Sequence, residues 1–192
     1  MKTIKNFGIY ELTIKNSKFI TLLYKINKEQ EAKENLTKAK LNYPDANHYC
    51  YAYIVNNKKK SSDDGEPGGT AGVPLMKVLE QNDLTNILVI VIRYFGGIKL
   101  GANGLVRAYT KSLTIALDQN TIVTLLQGFN IDITFNYNRI KEIDYLLKDI
   151  KINTKDFDLQ IKYNLDIKES FLETIKNNNI TYHINYHILI EE

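Results

Sequence analysis

The stretch that decides the fold is Leu88–Leu117, LVIVIRYFGGIKLGANGLVRAYTKSLTIAL. It begins within the apolar run Ile87–Ile92, which has the length and composition of a buried central strand. A glycine-rich loop follows, and the pattern after it predicts a helix from about Ala102 to Leu117. A second glycine-rich run, SDDGEPGGTAG at Ser62–Gly72, precedes this stretch along the chain.

Glycine is concentrated in this part of the chain, since eight of the ten glycines lie between residues 62 and 109. Without a Cβ, glycine is favoured where the backbone turns left-handed or approaches another group closely. We therefore expect the functional site to lie in this window. Its glycines are Gly65, Gly68, Gly69, Gly72, Gly96, Gly97, Gly101 and Gly104.

Alternating elements surround this window in the first half of the chain. β-Branched and aromatic runs predict strands, and helix-forming segments that end at proline or polar residues predict helices. The basic run Lys58-Lys59-Lys60 is predicted to lie in a loop. The predicted strands are Tyr10–Lys15, Phe19–Ile26, Tyr49–Val55 and a strand near Thr121–Gln127, and the predicted helices are Lys28–Leu41 and Thr70–Gln81.

The second half predicts the order β-α-β-β-α-β, which is the ferredoxin-like arrangement. Its last strand alternates strictly, with Tyr182, Ile184, Tyr186, Ile188 and Ile190 on one face. The boundary falls near Gly128, so we expect an α+β protein with domains at 1–127 and 128–192. The predicted elements are a strand at Phe129–Asn136, a helix at Asn138–Ile150, two strands within Ile152–Ile167, a helix at Lys168–Asn178 and a strand at Thr181–Ile190.

Composition indicates a globular protein, because 44% of the residues are hydrophobic and 24% are charged. No apolar run approaches the roughly 20 residues that a membrane helix needs. The single cysteine, Cys50, fits a reducing compartment, so we expect a cytoplasmic protein without a membrane partner. Residues 1–128 hold 17 Lys and Arg against 11 Asp and Glu, whereas residues 129–192 hold 8 against 11. The basic first half suggests an anionic partner; an unevenly charged, solvated surface is the alternative.

The acidic turn before the second predicted helix places Asp63, Asp64 and Glu66 within four positions. Carboxylate oxygens suit a hard cation such as magnesium, although the spacing is not that of a calcium loop. The favoured alternative is structural, with the carboxylates capping the helix that follows. A third interpretation pairs them with backbone amides or arginines of the second glycine loop.

The loop Arg93–Gly104 and the helix after it are basic, since Leu84–Leu117 contains four cations and no acid. Neither the P-loop nor the dinucleotide-binding spacing is present. Asn103, Arg107 and Lys111 recur every four residues and predict a solvent-facing helical stripe beside an exposed Tyr94-Phe95 pair. Cations beside stackable rings suit RNA or another polyanion; the alternative is a merely solvated helix face with Tyr94 and Phe95 in the core. The candidate nucleic-acid or anion-binding residues are Arg93, Tyr94, Phe95, Gly96, Gly97, Lys99, Gly101, Asn103, Gly104, Arg107 and Lys111.

No catalytic residue is assigned from the sequence. His48 and Cys50 share a strand face, but no third group that would orient them is evident, and a buried cysteine is more often a small hydrophobic residue. His183 and His187 are expected to be exposed, and a metal site there would need a further ligand. Catalysis is thus unsupported by the sequence.

The chain resembles the YigZ/IMPACT family. The resemblance rests on SKFI at Ser17–Ile20, HYCYAY at His48–Tyr53, the acidic turn through Pro74-Leu75, and RYFGGIKLGANGLVRAY at Arg93–Tyr109. Local departures are Gly68, where a serine is frequent, and Asn103, where a glycine is frequent. The resemblance implies an N-terminal domain similar to the second domain of a small-subunit ribosomal protein and to domain IV of elongation factor G. It also implies a C-terminal domain similar to that factor's domain V.

Eukaryotic relatives regulate translation, so the resemblance leads to our main hypothesis of a non-catalytic, translation-associated binding protein. Its expected partner is RNA, the ribosome or a translation factor, without sequence-specific DNA binding. The alternatives are an enzyme or metal-dependent binder for a small phosphorylated or anionic substrate, and a protein-interaction module. We expect no cofactor in the first case and magnesium at the acidic turn in the second. The sequence sets no oligomeric state.

Overall fold

The computed structural model describes residues 1–192 and shows two compact units, Met1–Val123 and Thr124–Glu192. The chain passes from the first unit to the second within one long strand, which also contains Gly128. None of the helices combines the length and the apolar character needed to cross a membrane.

The first unit is built on a five-stranded antiparallel sheet. Its central strand is the apolar run predicted from the sequence, buried along nearly its whole length. A short strand, β1 (Lys2–Ile4), lies at the N-terminus and buries Ile4 in the core. In sheet order the five strands are β2 (Gly8–Ile14), β3 (Ser17–Lys25), β6 (Ile87–Tyr94), β4 (His48–Val55) and β5 (Lys58–Ser62).

Helices cover both faces of this sheet and give the unit two cores. Helix α1 (Glu29–Asn42) packs on one face, with Ala32 and Ala39 against side chains such as Ile90. Helices α2 (Gly72–Gln81) and α3 (Ala102–Asp118) pack on the other face, with Leu75, Leu79 and Leu113 against residues such as Val91. Because β-strand side chains alternate, consecutive residues of β6 point into different cores. The same alternation places Arg93 and Tyr94 on opposite faces of the sheet.

The second unit has the ferredoxin-like strand order that the sequence predicts. Its antiparallel sheet has the order β10–β7–β9–β8 and packs its apolar face against two short helices, α4 and α5. The core of this unit shares no residue with the two cores of the first unit. Its elements are β7 (Ile122–Phe135), α4 (Ile140–Leu146), β8 (Ile152–Phe157), β9 (Ile161–Lys168), α5 (Leu172–Asn177) and β10 (Thr181–Glu191). The whole chain is therefore an α+β protein with two antiparallel sheets.

Three predictions about individual elements are wrong. Lys58–Lys60 lies in the edge strand β5 rather than in a loop, since an edge strand tolerates exposed lysines. The two strands predicted on either side of Gly128 are one continuous strand, β7. The strict alternation of the last strand is broken by a bulge between Ile184 and Tyr186, so that Tyr186 is exposed.

Candidate functional site

A pocket of about 480 Å³ opens where β6 ends and the chain enters the glycine loop that leads to α3. Polar groups from four different segments meet there with apolar side chains of the loop and of the first turn of α3. The lining residues used below are His48, Glu66, Arg93, Phe95, Lys99 and Gly101.

Arg93 and Glu66 form a buried ion pair at the pocket. Arg93 Nη1 donates to Glu66 Oε1 at 2.6 Å, and the two residues are only 5% and 8% exposed. The same carboxylate oxygen accepts the hydroxyl proton of Tyr109 at 2.8 Å. Arg93 Nη2 lies 3.4 Å from Ser17 Oγ, whereas the buried Nε–H of Arg93 has no acceptor. Arg93, a candidate nucleic-acid or anion-binding residue, therefore has its charge largely satisfied inside the protein.

His48 faces the other oxygen of Glu66, with 3.8 Å between its Nε2 and Glu66 Oε2. Its Nδ1 lies 2.9 Å from the carbonyl oxygen of Asp64. A carbonyl only accepts, so Nδ1 must hold a proton, and in the neutral ring Nε2 is the acceptor nitrogen. With a neutral ring, Nε2 and Glu66 Oε2 are two acceptor atoms on this side of the pocket, whereas a protonated ring pairs with Oε2.

Cys50 lies beneath this network and is inert by its environment. Its thiol donates to the carbonyl oxygen of Asp63 at 2.9 Å, and its sulfur is 3.3 Å from the Tyr109 hydroxyl. Burial raises the pKa of Cys50 to about 12. Burial also raises the pKa of Tyr109, as do the neighbouring Cys50 and Glu66. Because the thiolate is the nucleophile, Cys50 is a packed hydrophobic residue rather than a reactive group.

The three carboxylates of the acidic turn are each engaged within the protein. Asp63 accepts the N–H groups of Gly69, Ala71 and Gly72 at 2.8–2.9 Å and so holds the start of α2, as the capping alternative expects. Burial opposes ionisation of Asp63, but these three N–H groups outweigh it and lower its pKa. No group of three or more His, Cys, Asp or Glu residues is arranged to hold a metal ion.

Asp64 and Glu66 serve different partners from Asp63. Asp64 accepts the backbone N–H of Tyr49 at 2.7 Å and lies 3.7 Å from Lys40 Nζ. Glu66 pairs with Arg93, which begins the second glycine-rich run, as the third interpretation of the turn expects for an arginine. The turn thereby joins β4, β6 and α2 around one side of the pocket.

Tyr94 and Phe95 do not form the exposed pair predicted from the sequence. Tyr94 packs against the core under α1, and its hydroxyl donates to the carbonyl oxygen of Pro44 at 3.2 Å. Phe95 lies at the pocket, is 46% exposed, and has the Arg93 guanidinium carbon 5.5 Å from its ring centroid. Only Phe95 therefore presents a ring to a ligand.

The glycines of the loop have separate structural reasons. A Cβ on Gly96 would lie 2.0 Å from the backbone carbon of Asn16, so glycine is required by the close approach of the β2–β3 turn. Gly97 and Gly101 have φ values of +81° and +70°, which strain any other residue. Gly104, in the first turn of α3, would bring a Cβ to 3.1 Å from the Cβ of Leu100.

The helical stripe lies where the sequence places it. Asn103, Arg107 and Lys111 are exposed on α3, while Leu105, Tyr109 and Leu113 are buried against the sheet. Lys99 is exposed in the loop just before the helix and lines the pocket. These four exposed residues, Lys99, Asn103, Arg107 and Lys111, are called the basic surface below.

Sequence reasoning offered a pairing of the acidic turn with an arginine of the second glycine loop as one interpretation, but it did not add His48 to the cluster, although the signal was present. Alternation along β6 places Arg93 on the same face as Val91, under α2 and α3, and Tyr94 on the face of Ile92. In the antiparallel register, His48 on β4 lies directly opposite Arg93. Glu66 lies 27 residues before Arg93, so only the fold shows which carboxylate of the turn is its partner.

Comparisons with known proteins agree on one family. The family model described as the Impact N-terminal domain matches residues 15–117. The chain is 40% identical over 158 residues to the IMPACT family member YvyE of Bacillus subtilis, covering 77% of this chain and 73% of YvyE. It is 36% identical over 151 residues to the IMPACT family member YigZ of Escherichia coli, covering 75% and 74% of the two chains.

A solved structure extends the similarity to nearly the whole chain. The crystal structure of a protein described only as hypothetical is similar with a TM-score of 0.69 and 28% identity, over 94% of this chain and 95% of that one. Together with the matched domain and the two bacterial relatives, this similarity leads to one conclusion: the chain belongs to the IMPACT family.

Proposed function

We propose that this protein is a translation-associated binding protein that contacts RNA, free or on the ribosome, through the basic surface. The observation that supports this proposal is that Lys99, Arg107 and Lys111 are exposed and form no ion pair. Lysines on other parts of the same unit do form such pairs, as Lys18 does with Glu11 at 2.8 Å. Cations without acidic partners are available to phosphates.

The surroundings of the basic surface strengthen this proposal. The segment from Leu84 to Leu117 contains no acidic residue, so no carboxylate of the loop or of most of α3 repels a polyanion. Helix α3 also directs the positive end of its dipole toward the loop that contains Lys99. The link to translation comes from the resemblance to a family whose eukaryotic members regulate translation.

Binding of a fluorescent single-stranded RNA and of purified ribosomal subunits at several salt concentrations tests this proposal. We expect Arg107→Ala/Lys111→Ala to weaken binding at low salt by about tenfold, because two phosphate contacts are lost. The slope of log K against log[salt] should become shallower by about 1.4, which is two contacts at the value for single strands.

The matched control is Lys33→Ala/Lys38→Ala, which removes the same charge from exposed positions of α1 on the opposite face of the sheet. It should leave both affinity and slope near the wild-type values. Equal losses of RNA affinity in the two double variants would show that binding depends only on total charge, and this would contradict the assignment to the basic surface. Absent or salt-independent binding by the wild type would reject the proposed function.

A further inference from the structure

We propose that the pocket at the start of α3 binds a nucleoside 5′-monophosphate unit. The unit is supplied either as a free nucleotide or as the phosphorylated 5′ end of an RNA strand, and only the second source rests on the function proposed above. The proposal follows from a division of the pocket into a donor side, an apolar wall and an acceptor side.

The donor side is the N-terminus of α3. Gly101 is the N-cap of this 17-residue helix, no side chain caps it, and its first turn contains no acid. The first N–H groups of a helix have no partner inside the helix and favour an anion. Gly101 and Ala102 line the pocket, together with the unpaired Lys99. A phosphate group is therefore the chemistry that this side accepts.

The buried Arg93–Glu66 pair gives a second, independent indication of a ligand. Arg93 lines the pocket and is 95% buried, yet its Nε–H has no acceptor in the protein. Leaving a buried donor on a charged group unsatisfied is costly, and native proteins seldom do so. Nε itself has almost no accessible surface, so the atom of this pair that faces a ligand is Glu66 Oε2, which accepts no hydrogen bond within the protein.

The wall between the two polar sides is apolar. Phe95, Leu100 and Leu105 line it, and Phe95 leaves nearly half of its surface exposed. The Arg93 guanidinium carbon lies 5.5 Å from the centroid of the Phe95 ring. A half-exposed ring is a stacking surface for a base. The volume of about 480 Å³ lies in the range of pockets that hold small organic ligands.

The acceptor side selects against a simple inorganic anion. Glu66 Oε2 and His48 Nε2 face each other at 3.8 Å, and neither forms a hydrogen bond within the protein. Oε2, and Nε2 of a neutral ring, accept hydrogen bonds from ribose hydroxyls or base amino groups, which a nucleoside phosphate has and inorganic phosphate lacks. A ligand with an anionic end, a flat body and donors elsewhere fits all three parts of the pocket.

The test compares three ligands on the full chain: AMP by calorimetry, and one oligoribonucleotide with either a 5′-phosphate or a 5′-hydroxyl end by fluorescence anisotropy. The informative variant is Ala102→Glu, with Ala102→Gln as the neutral control of similar size. Ala102 is exposed at the first position of α3. A carboxylate there stabilises the helix and repels a phosphate, so folding and binding change in opposite directions.

We expect wild type and Ala102→Gln to bind AMP, or to bind the 5′-phosphorylated strand about tenfold more tightly than the 5′-hydroxyl strand. Ala102→Glu should lose that binding or that preference while its thermal midpoint is maintained. AMP binding identifies the free nucleotide as a source, whereas a strand preference without AMP binding identifies the RNA end. Equal affinity for the two strands with no AMP binding would overturn the proposal.

The two proposals fail separately. Salt-independent or absent RNA binding by the wild type, together with AMP binding that is lost in Ala102→Glu, would reject the proposed function and leave the pocket assignment intact. AMP binding that is lost in this double variant and kept in Ala102→Glu would overturn the pocket assignment and leave the basic surface as the anion site.

Discussion

At the scale of single residues, the burial of Arg93 is the main difference between expectation and structure. The sequence shows an arginine at the edge of a glycine loop, and the typical arginine is a surface cation. The structure shows it paired with Glu66, because β6 alternation points it beneath α2 and α3. The sequence raised a pairing of the acidic turn with an arginine of this loop as one of three interpretations, and only the tertiary fold selects Glu66.

The buried pair predicts strongly non-additive effects on stability. Arg93→Met and Glu66→Gln should each lower the free energy of unfolding by about 3–5 kcal/mol, because each leaves a buried charge without its partner. The double variant should lose at least about 1 kcal/mol less than the sum of the two, since it leaves neither charge. Urea denaturation of all four proteins measures this cycle.

The exposed Lys59–Glu80 pair, with 2.8 Å between Nζ and Oε1, gives the control. Lys59→Met should change the stability by less than about 1 kcal/mol, because water screens such a pair. Additive losses for Arg93→Met and Glu66→Gln would show that the two residues do not depend on each other.

At the scale of elements, the glycine loop is shaped by the turn between β2 and β3. Lys15 and Asn16 both have positive φ in this turn, which suits the twist of a two-residue hairpin. The loop packs on it, and the N–H of Gly96 donates to Ser17 Oγ at 3.2 Å. The clustering of glycine was predictive of a close approach, but here Gly96 approaches the chain's own backbone.

Two glycine substitutions separate packing from conformational freedom. Gly96→Ala should destabilise the protein by about 1–3 kcal/mol or more, because its Cβ would overlap the backbone of Asn16. Gly68→Ala should change the stability by no more than about 0.5 kcal/mol, since nothing lies within 4 Å of its Cβ and its φ is not in the left-handed region. Thermal unfolding measures both, and equal effects would contradict the packing argument.

Sequence periodicity was reliable for elements whose faces are consistently buried. The central strand β6 and helix α3 lie close to their predicted bounds because apolar side chains mark them continuously. Strand β5 was not predicted because its residues are mostly exposed lysines, which give no apolar pattern. The bulge in β10 was not predicted because one extra residue exchanges the two faces of the strand without any local sequence signal. Edge strands and bulges are set by pairing partners rather than by the pattern of one segment.

At the scale of the whole molecule, three separate groups of buried residues account for the fold. Two lie on the faces of the first sheet and one lies in the second unit. The charge difference between the halves follows the same division, since the basic first half contains the basic surface. The sequence could predict both units from their patterns, whereas the pocket needed the tertiary positions of β4, β6 and α3.

The separate cores predict separate responses to a core mutation. Leu165→Ala, in the fully buried core of the second unit, should cost about 2–5 kcal/mol through lost burial and the cavity it leaves. Hydrogen exchange should show lower protection in β7 and β9 and unchanged protection in β6. An equal loss of protection in β6 would show that the whole chain unfolds as one cooperative unit.

The environment of Cys50 has a practical consequence for biophysical work. The only thiol of the chain is buried, hydrogen-bonded and protonated at neutral pH. The native protein is therefore silent toward maleimide dyes, and no background cysteine needs to be removed before labelling. A cysteine introduced at the exposed position Thr114 of α3 would then be the one group that a maleimide dye labels.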